Sequence, residues 1–204
     1  MNGESFNPLA IESLAESIVQ RLLLNDAVPL ENIPSFPGAG VYALFYIGDF
    51  PAYKLVRDQN INGQWKLPIY VGKAVPQGGR RGINPDASLT SQALWKRLAD
   101  HTKSIGAAEN LNIKDFYAKW LILEDIWIAL GESALIRDTK PVWNAMVDGF
   151  GNHDPGKGRH SGLAPQWDTL HPGRAWAARL VQRPENAAEL IASDAAQYLA
   201  SRHG

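Results

Sequence analysis

Apolar residues recur at helical spacing in four stretches of the chain. From residue 8 to 24 they fall three or four positions apart after a proline, which is the pattern of an amphipathic helix. The spacing returns after Ser88, a residue suited to cap a helix, and again from Glu124 to Thr139, where Lys140-Pro141 stops it. Residues 185–202 repeat the pattern and predict a fourth helix.

Three other stretches have the composition of β-strands. Val41 to Ile47, Pro68 to Val71 and Phe116 to Leu123 are rich in β-branched and aromatic residues. The polar residues 49–67 between the first two contain Asn62-Gly63 and predict a hairpin extension. The order helix, strand, strand, helix, strand, helix predicts an α+β, sandwich-like fold in which helices flank a small three-stranded antiparallel sheet.

Length and composition predict one domain. A chain of 204 residues that is 45% apolar supplies one well-packed core and too little material for two large domains. We therefore expect a single domain over 1–204, with a central unit at 38–145, an N-terminal helical extension at 1–37 and a C-terminal loop and helix at 146–204. The absence of cysteine excludes disulfides, thiolate nucleophiles and cysteine-ligated metals.

Hydropathy gives no sign of a membrane protein or a secreted one. No run approaches eighteen consecutive apolar residues, and no lysine or arginine precedes an apolar stretch at the N-terminus. We therefore expect a cytoplasmic protein without a membrane partner.

The charge is nearly balanced overall and uneven along the chain. The net charge is -1, which excludes histone-like binding through a bulk positive field. Residues 54–103 nevertheless carry nine basic residues against three acidic ones, and residues 140–183 carry six against three. Two basic blocks separated by acidic segments are typical of a protein that holds a phosphate backbone in one groove. The alternative is an ordinary uneven distribution of charge along the chain.

Five short elements follow one another in a fixed order between residues 40 and 144. They are Gly40-Val41-Tyr42, Tyr70-Val71-Gly72-Lys73, Arg97 with His101 four positions later, Glu132, and Asn144 after Pro141. In order and spacing they resemble the GIY-YIG nuclease superfamily over about half of the chain. The tail at 149–159 and 167–174 is similar to the branch that contains type II restriction endonucleases.

The resemblance implies a site-specific endonuclease that hydrolyses phosphodiester bonds of double-stranded DNA with Mg²⁺ or Mn²⁺. The branch includes enzymes that cut CCGCGG, so the expected site is a GC-rich palindrome. Two copies of one active site related by a two-fold axis cut a palindrome most simply, and we expect a homodimer with helix 8–24 as the candidate contact. A cognate DNA methyltransferase is expected in the same system, although not as a bound partner.

Tyr46-Ile47-Gly48 spells the second signature of the superfamily literally. Tyr46 comes only four residues after Tyr42, so both tyrosines belong to one strand and point to the same face of it. Tyr70 follows a chain reversal and precedes a basic loop and a helix. The role of the second tyrosine is therefore assigned to Tyr70.

The residue types suit phosphodiester hydrolysis, which needs a deprotonated water and positive charge beside the phosphorus. Arg97 and His101 lie one helical turn apart and so address one site together. A phenol with a pKa of about 10 is a poor base, so a nearby cation must lower the pKa of Tyr42 or His101 must take its proton. By resemblance, Tyr42 is the general base, Tyr70 positions phosphate or water, Glu132 holds the metal ion, and Asn144 hydrogen-bonds a tyrosine or the phosphate.

Loops rich in glycine and cations predict where DNA is contacted. Basic side chains in both blocks are expected to bind phosphate or guanine, and solvated surface loops are the alternative interpretation. The predicted DNA-binding residues are Lys73, Arg80, Arg81, Lys157, Arg159, His160 and Arg174.

Other functions remain open at this level. A repair or homing nuclease of the same superfamily, a non-catalytic sequence-specific DNA-binding protein and a protein-binding module are the alternatives. Gly151-x-x-x-x-Gly156-Lys157 nearly spells a phosphate-binding loop, but Gly158 stands where that loop needs a hydroxyl. Asp138-x-Lys140 lies at the end of a helix rather than on a strand, which disfavours the commoner restriction-enzyme fold.

Overall fold

The computed structural model describes residues 10–76, 89–156, 158 and 161–203. Within these residues the chain forms seven α-helices and one four-stranded antiparallel sheet, which confirms the α+β class. The strands are β1 (Val28–Pro29), β2 (Gly40–Tyr46), β3 (Tyr70–Ala74) and β4 (Phe116–Ile122). The helices are α1 (Ile11–Leu24), α2 (Lys54–Asn60), α3 (Ala93–Ala107), α4 (Asp125–Thr139), α5 (Val142–Ala145), α6 (Gln166–Leu170) and α7 (Ala187–His203). None of the helices in these ranges combines the length and apolar character that a bilayer span needs.

The sheet has four strands in the order β1-β4-β2-β3, so the prediction of three strands was wrong. The missing strand is β1, in which Val28 pairs with Ala118 and Pro29 with Tyr117. Two residues that include a proline carry no period-two alternation, so the sequence pattern could not show this strand. β2 lies inside the sheet and β3 forms one edge of it.

The polar stretch between β2 and β3 is helical, so the predicted hairpin extension was also wrong. α2 and the short 3₁₀ turns beside it occupy this stretch. Asn62 and Gly63 do have positive φ angles, of 58° and 73°, but they end a helical segment instead of reversing a hairpin. The buried side chain of Asn60 bonds both backbone groups of Leu67, which fixes the path into β3.

Alternation along β2 divides the core into two layers. Tyr42, Leu44 and Tyr46 face the layer formed by α2, α3, α5, α6 and α7. Val41, Ala43 and Phe45 face the layer formed by α1 and α4. All seven residues of β2 are buried, so each residue on this strand is committed to one of the two layers.

The apolar face of α1 packs inside its own chain. Ala15, Ile18 and Leu22 are buried against the sheet and α4, and the Lys119 ammonium donates a hydrogen bond of 2.6 Å to the Leu23 carbonyl at the end of the helix. A dimer contact through α1 would therefore use its outer face, where Ile11 is exposed.

A buried tyrosine and a buried histidine form a hydrogen-bonded pair beside the layer that Tyr42, Leu44 and Tyr46 face. The Tyr53 hydroxyl bonds His171 Nε2 at 2.7 Å, and His171 Nδ1 lies 2.8 Å from Asn110 Oδ1. Because a carbonyl oxygen only accepts, Nδ1 carries the proton and Nε2 accepts from the phenol. Burial lowers the pKa of His171 to about 3, so the ring is neutral at pH 7.

The low pKa of His171 predicts that the folded protein loses stability in acid. Between pH about 6.5 and about 3 the unfolded chain binds a proton at His171 that the folded chain does not, so stability falls as the pH falls, by up to about 1.4 kcal/mol per pH unit. His171→Gln should be less stable at pH 7 but should lose less on acidification. Urea unfolding at pH 7, 6 and 5 measures both effects.

Thr139→Val supplies the control, because it removes a buried hydrogen-bonded hydroxyl that does not titrate in this range. This variant should follow the pH dependence of the wild type. Parallel stability curves for His171→Gln and the wild type would show that His171 does not cause the loss.

Candidate active site

Two tyrosines from neighbouring strands converge on one histidine from α3. The Tyr42 hydroxyl lies 2.5 Å from His101 Nε2 in a buried hydrogen bond. In the antiparallel register Tyr42 is opposite Gly72 and Leu44 is opposite Tyr70, so both phenols lie on the same face of the sheet. Their ring centroids are 6.2 Å apart, and the Tyr70 ring is 5.3 Å from His101.

Tyr46 lies on β2 together with Tyr42, as the sequence predicts. Its hydroxyl accepts a hydrogen bond of 2.8 Å from the Phe50 backbone N–H, and its ring packs on Phe116. The literal signature at residues 46–48 therefore belongs to the core, and the phenol beside Tyr42 is that of Tyr70.

The guanidinium of Arg97 lies beside the two phenols and forms hydrogen bonds with the segment after α5. Arg97 Nη2 donates to the Gly151 carbonyl at 2.9 Å. Its Nη1 lies 2.5 Å from His153 Nε2, and because a guanidinium only donates, this imidazole nitrogen is the acceptor. Arg97 and His101 thus serve one site from successive turns of α3, as their spacing predicts.

Burial keeps the tyrosine and histidine pair uncharged. Desolvation raises the pKa of Tyr42 well above its ordinary value, the neighbouring Tyr70 adds to this rise, and the Arg97 guanidinium opposes it. Desolvation lowers the pKa of His101 well below its ordinary value, and Arg97 lowers it further. At neutral pH Tyr42 is therefore a protonated phenol and His101 a neutral imidazole.

Phe150 and Gly151, in the segment after α5, cover the His101 ring and the Tyr70 hydroxyl. The Phe150 ring stacks on His101 with centroids 4.5 Å apart and planes 17° apart. The chain passes so close at Gly151 that an added Cβ would lie 2.8 Å from the Tyr70 hydroxyl oxygen. The sequence analysis missed Phe150 and Gly151 as site residues because no periodic pattern marks this segment, although its aromatic residue between two glycines was a signal.

Glu132 lies on the other side of the edge strand. Its helix, α4, covers the opposite face of the sheet, where the Lys73 ammonium lies 2.6 Å from Glu132 Oε2. The Glu132 side chain is 21% exposed and that of Lys73 is 42% exposed. A cleft of about 460 Å³ at the edge formed by β3 is lined by Lys73, which bonds Glu132, and by Arg97 and His153.

The residues present suit one divalent cation held mainly by groups outside the protein. Glu132 supplies a carboxylate oxygen that already binds a cationic group, the Lys73 ammonium. Among the described residues no group of three or more histidine or acidic side chains forms a metal cage. Mg²⁺ commonly keeps several waters and is bound by one or two carboxylates plus substrate phosphates, so a single carboxylate beside a phosphate cleft fits it.

Asn144 is bonded to the edge strand rather than to a tyrosine. Its side-chain oxygen accepts from the Val71 N–H and its side-chain nitrogen donates to the Val71 carbonyl, both at 2.8 Å. An edge strand leaves such backbone groups without a ladder partner. Asn144 supplies that partner and so holds in place the strand that carries Tyr70.

Of the residues predicted to bind DNA, Lys73 lines the cleft. Arg80, Arg81, Lys157, Arg159 and His160 lie outside the described residues. The cleft also contains further polar residues that no sequence motif marks. These further residues are Ser91, Gln92, Lys96 and Asp100.

Arg174, which the sequence predicts to contact DNA, lies in the interior of the protein. It is only 5% exposed, and its guanidinium forms a two-bond ion pair with Asp168 at 2.6 and 2.5 Å. The rings of Trp167 and Trp176 flank the guanidinium, with centroids 4.5 and 4.7 Å away. The hydrogen bonds and ring contacts of the Arg174 guanidinium are therefore made inside the protein.

A small antiparallel sheet that places one tyrosine on each of two neighbouring strands, opposite an arginine and a histidine on one helix, defines a GIY-YIG nuclease. Comparison with known families matches residues 34–199 to the Eco29kI GIY-YIG domain, and the chain belongs to this restriction endonuclease family. A search of curated proteins finds no match. Membership implies a DNA endonuclease, and nucleases of this superfamily typically use a divalent metal ion.

Gly72 offers a test of how closely the two phenols must pack. An added Cβ would collide with the Tyr42 hydroxyl and lie 3.1 Å from the Tyr70 ring. Gly72→Ala should displace both hydroxyls and lower DNA cleavage by about 100-fold, because displacements of about 1 Å have that effect on positioned groups. The rate should be measured under single-turnover conditions on folded protein.

Gly106→Ala is the matched control, since nothing lies within 4 Å of an added Cβ at that position in α3. It should keep full activity and gain about 0.5–1 kcal/mol of stability. Full cleavage by Gly72→Ala would mean that the positions of the phenols do not limit the reaction.

Proposed function

We propose that this protein is a type II restriction endonuclease that hydrolyses phosphodiester bonds at a specific site in double-stranded DNA with Mg²⁺ or Mn²⁺. The observation that carries the proposal is the buried hydrogen bond between the Tyr42 hydroxyl and His101 Nε2, at 2.5 Å, beside the Arg97 guanidinium. It joins a proton donor, a neutral proton acceptor and a phosphate-binding cation in one place.

The proton of the attacking water leaves through Tyr42. The water O–H bond breaks, its proton goes to the Tyr42 oxygen, and the Tyr42 proton passes to His101 Nε2 along the existing hydrogen bond. Because the Tyr42 pKa is raised, a free phenolate is not available beforehand, so the two transfers must be coupled. The new bond from oxygen to phosphorus then forms as the bond to the leaving oxygen breaks.

Arg97 and Tyr70 hold the scissile phosphate. The Arg97 fork is suited to a non-bridging phosphate oxygen, and its charge compensates the negative charge that develops on phosphorus. His153, which Arg97 bonds in the free protein, sits in the cleft and gives way to the phosphate or joins it. Tyr70 lies beside Arg97, and its hydroxyl donates a hydrogen bond to the phosphate or to the water.

Glu132, which bonds Lys73 at the edge of β3, would hold the metal ion. When bound, the ion would supply positive charge beside the phosphate. Lys73 would contact the DNA backbone in the cleft, and Asn144 fixes the strand that carries both Lys73 and Tyr70.

The DNA runs along the cleft beside β3. Lys96 and Gln92, with Lys73, offer phosphate contacts there, and the basic residues Arg80, Arg81, Lys157, Arg159 and His160 remain candidates for base and phosphate contacts. A GC-rich palindrome cut by a homodimer is the expected substrate arrangement, protected in the cell by a cognate methyltransferase.

Glu132→Gln tests the function and the metal role together. The wild type should cut plasmids of known sequence into discrete fragments with Mg²⁺ and leave them intact in a chelator. Glu132→Gln should still bind DNA but cut at least about 100-fold more slowly, because a lost metal contribution of a few kcal/mol has that effect. Gel electrophoresis and a binding titration at fixed salt measure the two properties.

Glu124→Gln, an exposed carboxylate two turns earlier in the chain, is the control and should cut normally. Unimpaired cutting by Glu132→Gln would remove Glu132 from the metal role. A smear of products would favour a nonspecific nuclease, nicks at damaged or branched DNA would favour a repair enzyme, and intact DNA on several templates would favour a non-catalytic binding protein.

The pH dependence of kcat/KM tests the proton path, because this parameter reports ionisations of the free enzyme. The His101 pKa is lowered well below its ordinary value of about 6.5, so the neutral acceptor persists as the pH falls from about 8 to about 6.5. We expect a constant kcat/KM over that interval and a decline only in more acidic solution. An inflection centred near pH 6.5 would contradict His101 as a buried, neutral acceptor.

A further inference from the structure

We infer that Arg174 is a positioning residue of the active site, acting through the backbone of residues 149–152; the inference rests on the function proposed above. It does so from the interior of the protein, without touching the reacting atoms. The role differs from the DNA contact that its charge suggests, and it extends the site to α6 and to the chain that follows it.

The guanidinium of Arg174 donates hydrogen bonds to the Asp168 carboxylate and to backbone carbonyls of residues 149–152. Nε and Nη2 bond the two carboxylate oxygens of Asp168 on α6. Nη1 donates to the carbonyls of Phe150 and Asn152 at 3.0 and 3.2 Å, and Nη2 also donates to the carbonyl of Gly149 at 3.0 Å. One planar group therefore ties three carbonyls of a four-residue segment to a helix.

Residues 149–152 form one wall of the active site. Its Phe150 ring stacks on the His101 ring that accepts from Tyr42. Its Gly151 carbonyl, between two of the carbonyls that Arg174 holds, accepts from Arg97. A shift of this segment would change the environment of His101 and the direction of the Arg97 fork at once.

A purely stabilising ion pair would not need this geometry. Buried ion pairs contribute little net stability, because the desolvation of both charges offsets their attraction. A lysine would also satisfy Asp168 as a point charge, but only a planar fork with five donors bonds a carboxylate and three carbonyls together. The two flanking tryptophan rings keep the plane of this fork fixed.

Arg174→Lys separates charge from geometry, and Arg57→Lys is the matched control because Arg57 forms an exposed ion pair with Asp49. In ¹H–¹³C spectra of the full chain, the His101 ring signal of Arg174→Lys should move in the direction seen in Phe150→Leu, which removes the stacked ring. Exchange of the Asn152 amide, which bonds the Gly149 carbonyl at 3.1 Å, should accelerate. Arg57→Lys should change neither.

Kinetics add a readout that a merely structural role would not move. On the cognate DNA, the single-turnover rate of Arg174→Lys should fall about tenfold or more, while its Kd for DNA stays within about twofold of the wild type. Equal losses in binding and turnover, or none in either, would overturn the inference. If the wild type cuts no DNA, the proposed function fails, and the His101 signal and the amide exchange still decide the role of Arg174.

Trp176→Leu covers the case in which Arg174→Lys does not fold. It removes one ring stacked on the guanidinium and leaves the ion pair intact. We expect a smaller displacement of the His101 signal in the same direction. A folded variant with an unchanged His101 signal and unchanged exchange at Asn152 would overturn the inference.

Discussion

The hydrogen bond between Tyr42 and His101 depends on a single constraint, which is that neither partner can be charged where it lies. Both side chains are buried, and desolvation pushes the pKa of the phenol up and that of the imidazole down. The pair is therefore a neutral donor and acceptor held ready for transfer. In the proposed reaction, moving the proton onto His101 would place a cation beside Arg97, and the anionic phosphate of the substrate would offset that repulsion. Under that proposal the substrate itself would supply the charge that makes the transfer favourable.

The edge position of β3 explains why the site is divided. The phenols lie on one face of the sheet and the pair of Glu132 and Lys73 lies against the other, so no side chain of either group can reach across the sheet interior. Lys73 from one group and Arg97 beside the other both line the cleft at the edge formed by β3. An edge strand is also prone to pair with other chains. Asn144 bonds β3 with its side chain, which blocks that pairing locally.

The sequence could predict what short-range geometry determines. Period-two alternation placed Tyr42 and Tyr46 on one face, and helical spacing placed Arg97 and His101 on one site, because both rules act over four residues. It could not predict β1, which is too short to show a period. It could not predict that Arg174 is buried, because a count of charges says nothing about exposure. Asp168, six residues earlier, was a local signal that the guanidinium already had an internal partner.

The segment 149–152 overlaps the near match to a phosphate-binding loop at Gly151, but its polarity is opposite to that of such a loop. A phosphate loop turns its backbone N–H groups towards an anion. Here the carbonyls of residues 149–152 point at two guanidinium groups, with Gly151 bonding Arg97 and its neighbours bonding Arg174. Glycine is needed at 149 for a φ of 97° and at 151 for the close approach to Tyr70. The segment therefore orients cations, and in the proposed reaction it would act on the phosphate only through Arg97.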